Sequence, residues 1–168
     1  MHLDELKQLL TTFTAERLAL LQRHEAGARV VSHYDFNNTY QNVINREETH
    51  LTWLESALSE FGTGLPAASS TLAVPEVPKH GKKIAPSIFT AVLDDDARGL
   101  GDFVGRWRDR VQAMTHARNR TMLNVILGES LEHQRLFQQA AAGFEDLLGR
   151  RTGGVARVGE VLSTRWLE

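Results

Sequence analysis

The chain has 168 residues, a formal net charge of −2 and no cysteine. That length makes one domain with a core of its own, and the near-neutral balance offers no strong field for nucleic acid or an anionic membrane. The lack of cysteine removes disulfides, thiolate metal sites, Fe–S clusters and cysteine nucleophiles.

The N-terminal stretch MHLDELKQLLTTF is charged and amphipathic, with no basic region followed by an apolar one. A secretory signal is therefore not expected, and the setting is read as cytoplasmic. No apolar run approaches the ~20 residues that span a bilayer. The first helix is predicted over roughly residues 3–28, with Leu6, Leu9, Leu10, Phe13, Leu20 and Leu21 as its apolar positions and Gly27 near its end. A second helix, capped by Asp35 or Asn37, is predicted to run to Phe61, where Gly62 and Gly64 stop it. Its stripe is Tyr40, Val43, Ile44, Leu51, Leu54, Leu58 and Phe61.

Residues 62–92 hold all four prolines and many small residues. They read as a long crossover with a short helical turn near Ser87–Val92. The crossover is expected to be the most mobile part of the chain. Its Lys79-His80-Gly81-Lys82-Lys83 cluster reads as a solvated loop. A third helix is predicted to start near Asp94-Asp95-Asp96, acids suited to a helix N-terminus, with Leu100, Phe103, Val104, Trp107, Val111 and Met114 as its stripe. After a turn near 116–119, a fourth helix is predicted to run to Leu148. Val158, Val161, Leu162 and Trp166 are spaced for a short fifth helix in the tail, covering the bundle or making an oligomer contact. Short, long and short connections are the pattern of an all-α, antiparallel four-helix bundle with one crossover.

Two helices carry polar residues inside their apolar stripes. Glu47 and His50 interrupt the second, and Glu129 and His133 interrupt the fourth. Ionisable groups at core positions are costly unless paired or ligated, so one shared polar site in mid-bundle is expected. Counting from the first hairpin turn, Glu16 lies level with Glu47. Carboxylates and imidazoles together suit Fe, Mn or Zn. His24, His33, His80 and His116 read as surface or turn residues, and the three tryptophans as packing. There is no P-loop, nucleophile elbow or dinucleotide fingerprint.

Over residues 3–148 this arrangement resembles the ferritin-like superfamily of di-iron carboxylate bundles. There, one helix of each hairpin gives a Glu and the other a Glu-x-x-His, with the metals between the hairpins. The resemblance implies that Glu16 is the lone Glu, that Glu47 and His50 are the first Glu-x-x-His, and that His133 is the second histidine. The chain departs from the pattern in two places. Ser130 stands three residues before His133, with Glu129 one residue early, and the third helix has no acid on its mid-bundle stripe. Arg106 is nearly level with Glu129 and could neutralise it.

Two readings follow from these residues. One is a metal-binding bundle with Glu16, Glu47, His50, Glu129 and His133 as ligands for Fe, Mn or Zn and an oxidase or other redox activity. The other is a non-catalytic ferritin-like scaffold that holds a small molecule between its hairpins or binds a protein. Homo-oligomerisation is expected on either reading, and nucleic acid and membrane are not expected as partners.

Overall fold

The computed structural model describes residues 2–150, and these form four long helices and no strand. The helices are α1 (Leu3–Val30), α2 (Tyr34–Ser59), α3 (Thr90–Gln112) and α4 (Ala117–Ala141). The proposed fifth helix lies outside the described residues.

Each helix forms where apolar residues recur every three or four positions, so that one face can leave water. Leu6, Leu9, Leu10, Phe13 and Leu20 of α1 are all buried, as are Leu93, Leu100, Phe103 and Trp107 of α3. Burying each such side chain stabilises the fold by about 1.5–3 kcal/mol. Phe13 packs against Phe103 and Trp107 with ring centroids 5.1 and 5.0 Å away, which ties α1 to α3. Tyr40 meets Phe137 at 4.9 Å and ties α2 to α4. Within each sequence-adjacent pair, α1 packs on α2 and α3 on α4. Close approach of α1 and α2 depends on Gly27, where a Cβ would come within 2.8 Å of the Tyr40 ring.

The helix ends differ from the sequence expectation for local reasons. Histidines, not Asp35 or Asn37, cap α2 and α4. The Nδ1 atom of His33 accepts from the Phe36 amide, and that of His116 accepts from the Asn119 amide. The helix at 90–112 starts before the three aspartates, because a 3-10 turn at Pro86–Phe89 launches it. That turn lies where a short helical turn was expected. The α4 helix stops at Ala141, short of Leu148, and Gly143 just beyond it takes φ +92°.

The connection from α2 to the 3-10 turn has no regular element, yet it lies against the bundle. Ser69 N–H donates to the Ala15 carbonyl at 3.0 Å, and Val74, Val77 and Ile84 pack on the core. No helix among the described residues is long and apolar enough to cross a membrane.

Candidate functional site

The middle of the bundle is polar. Arg17, His24, Glu47, His50, Asp96, Ser130 and His133 are all buried in it. Periodicity explains how they meet. Positions 13, 17, 20 and 24 share one face of α1, so Arg17 and His24 sit on the same stripe as Phe13 and Leu20. Positions 47, 50 and 54 do the same on α2, and 126, 130, 133 and 137 on α4.

Arg17 is the hub of this site. Its guanidinium lies 2.8 Å from Glu47 Oε2, 3.4 Å from His50 Nδ1 and 3.3 Å from Ser130 Oγ. Its Cζ stands 5.2 Å from the centre of the Phe103 ring. One cation on α1 therefore touches α2, α3 and α4. Burial lowers the Arg17 pKa from its ordinary value, opposed by the Glu47 charge. Glu47 also accepts a hydrogen bond from His24 Nδ1–H. Burial alone would raise the Glu47 pKa, but the His24 and Arg17 charges override it and hold the carboxyl at about 2.

Two further carboxylates are arranged in the same way. Asp96 accepts from Tyr40 O–H and from Arg23 Nη1 at 3.3 Å. Burial still raises the Asp96 pKa and, with the Asp96 charge, raises that of Tyr40. Glu129 accepts from His50 Nε2–H and from Arg46 Nε at 2.8 Å. Burial acts to raise the Glu129 pKa, but those two donors hold it low. His50 is pushed toward the neutral form by its burial, which leaves Nδ1 free to accept from Arg17. Each carboxylate thus has its own arginine and one further donor, a histidine or a tyrosine.

His133 is buried with its Nδ1 unpartnered, and its ring stands 6.4 Å from that of His50. Burial, together with the nearby Arg17, His50 and His24, lowers its pKa to about 4, although Glu47 pulls the other way.

Of the five residues singled out from the sequence, Glu47, His50, Glu129 and His133 converge. Glu16 does not join them. Its Oε2 accepts from Trp107 Nε1 and from Arg106 Nη2, both at 2.9 Å, on the outer side of the α1–α3 seam. Arg106 therefore faces Glu16, and the partner of Glu129 is Arg46. Three members of the cluster were missed. His24 is wholly buried and not on the surface. Asp96 supplies the acid on α3 that the stripe was thought to lack. Arg17, one residue past Glu16, takes the interior position assigned to that glutamate. A step of one residue turns a helix side chain by about 100°, which is why level alone did not choose correctly between them.

Among the described residues, no group of three or more His, Asp or Glu side chains is arranged to hold a metal ion. No family model matches the chain, and comparison with curated proteins and with solved structures gives no match.

Proposed function

We propose that this chain is a non-catalytic, ferritin-like scaffold, an antiparallel four-helix bundle whose mid-bundle site is closed by its own cations and which acts as a small-ligand or protein-interaction module. The observation that carries this reading is the Arg17 guanidinium at the junction of all four helices, between Glu47, His50 and Ser130. With Arg17, Arg23 and Arg46 each facing a carboxylate, the site offers a divalent cation no excess negative charge. A metal ion would have to displace a buried arginine and leave that cation uncompensated, which is strongly unfavourable.

The metal reading keeps one specific observation in its favour. The buried Nε2 of His24 and Nδ1 of His133 lack hydrogen-bond partners, and unpartnered imidazole nitrogens are potential ligands for Fe, Mn or Zn. One experiment separates the two readings. The full chain is purified without chelator, supplemented with Fe, Mn and Zn in turn, and measured for bound metal and for melting temperature. The scaffold reading expects no stoichiometric metal and no shift. About one equivalent or more, with a shift that grows with metal concentration as binding linkage requires, overturns it. Self-association and a cytoplasmic setting belong to the same reading, and sedimentation of the full chain tests the first.

A further inference from the structure

We infer that the cleft between α1 and α3, roofed by the α2–α3 connection, binds a small zwitterion carrying both an amine and a carboxylate. This names the ligand class for the small-ligand form of the scaffold reading, and it rests on that reading only in taking the molecule as bound and not transformed.

The cleft encloses about 300 Å³, the size that suits a small organic molecule. Its floor is charged and buried. Arg23 and Asp96 are 3% and 2% exposed, and Arg23 spans Asp95 and Asp96 at 3.0 and 3.2 Å. This floor is also where hydrogen bonding is least complete. Arg23 Nε makes none, nor does His24 Nε2 behind it, 3.6 Å from Asp96, and Asp96 Oδ1 has the 3.2 Å Arg23 ion pair but no well-aligned hydrogen bond. Buried polar groups are normally satisfied, and those that are not call for a water, ion or ligand.

The rim carries the recognition chemistry. Arg98 and Asp102 line the cleft four residues apart on one face of α3. Both are exposed, and neither makes an ion pair among the described residues. One unengaged cation and one unengaged anion side by side match a carboxylate and an ammonium on adjacent atoms of a ligand. Leu20 and the half-exposed Leu72 form apolar walls, which suit an aliphatic body. An α-amino acid with an aliphatic side chain meets all three demands.

The probes are L-leucine, isoamylamine, which lacks the carboxylate, and 4-methylpentanoate, which lacks the amine. Each is titrated into the full-length ¹⁵N-labelled protein, reading amide shifts at Arg23, Leu72 and residues 95–102. Saturable shifts confined to the cleft are expected with L-leucine. Either single-charge analogue should bind about tenfold more weakly or worse, as the loss of one charge-assisted contact implies. Asp102→Asn should weaken L-leucine and isoamylamine but leave 4-methylpentanoate unchanged. Arg98→Met should weaken L-leucine and 4-methylpentanoate but leave isoamylamine unchanged. Both sites are on the surface, so both variants should keep the wild-type spectrum elsewhere. The inference is overturned if L-leucine shifts nothing in the cleft up to its solubility limit. Affinities that ignore the two substitutions overturn it as well. Either failure leaves the scaffold reading to be decided by the metal titration.

Discussion

Glu47 and Glu16 each face an arginine, and the two pairs could hardly sit in more different surroundings. The Glu47–Arg17 pair is 2.8 Å long with both side chains 1% exposed. The Glu16–Arg106 pair is 2.9 Å long, but its side chains are 22% and 55% exposed. Geometry is nearly the same and environment is not. In water the second pair is worth ~0–1 kcal/mol. In the core, neither member of the first can lose its partner without stranding a charge. The interior pair is therefore a constraint on the fold, and the outer pair a local contact on the α1–α3 seam.

The sharpest way to break this comparison is to remove the hub. Arg17→Ala is expected to destabilise by about 3–5 kcal/mol, since it strands the Glu47 carboxylate. Chemical denaturation of the variant checks this. Replacing both members with apolar residues, Arg17→Met with Glu47→Leu, should restore most of the loss or exceed wild type, because a buried ion pair and a well-packed apolar pair are often of similar stability. A double variant as unstable as Arg17→Ala would show that the contacts of the two residues with His24, His50 and Ser130 outweigh the pair itself.

Acid offers a second test. Glu47 titrates at about 2 in the folded protein, below its ordinary value of 4.5. Its folded pKa is depressed, so its contribution is present above pH 4.5 and is lost as the pH falls toward 2. His133 titrates at about 4, against an ordinary 6.5. Between these values the unfolded chain binds the extra proton, so stability should fall as the pH drops from 6.5 to 4, by up to about 3 kcal/mol. Melting temperatures of His133→Leu across that range should be flatter than those of wild type. Near neutral pH this variant should be no less stable, because the substitution removes an unpartnered Nδ1 from the core. An unchanged acid slope would reject the burial of a neutral His133.

The four helices were legible because their stripes are long and periodic, and the polar interruptions at 47, 50, 129 and 133 were legible for the same reason. The pairing was not. An arginine on an apolar stripe reads as a long side chain reaching past it to water, so nothing in the sequence marks Arg17 as the interior cation. His24 lies on the face of Leu20, a signal that was available. Asp96 was hidden in a triplet of aspartates, of which only the structure shows that one points inward. The start of α2 was displaced because its cap is His33, a residue outside the usual capping set.

The connection between α2 and α3 gives a third test, on a segment whose composition suggested looseness. Among the described residues, its backbone tie to α1 is Ser69 N–H on the Ala15 carbonyl. Amide exchange at Ser69 is expected to be slower than at Thr71 or Gly81 by about tenfold or more, since exchange needs local opening of a hydrogen-bonded site. Equal exchange at the three positions would show that the connection does not rest on α1.

The smallest effects belong to the outer pair, and they differ between its two members. Arg106→Ala removes a partly hydrated cation and leaves Glu16 still accepting from Trp107 Nε1. The loss should be under ~1 kcal/mol and should shrink further in salt. Glu16→Ala is a different matter despite deleting the same ion pair. Trp107 is fully buried, and its indole N–H would be left without that acceptor, at a cost of about 1–3 kcal/mol that salt should not screen. Thermal unfolding of the two variants at low and high salt separates the contributions. If both variants lose the same small amount, and both losses vanish in salt, the Trp107 contact contributes nothing. Glu16 would then be a surface residue in full.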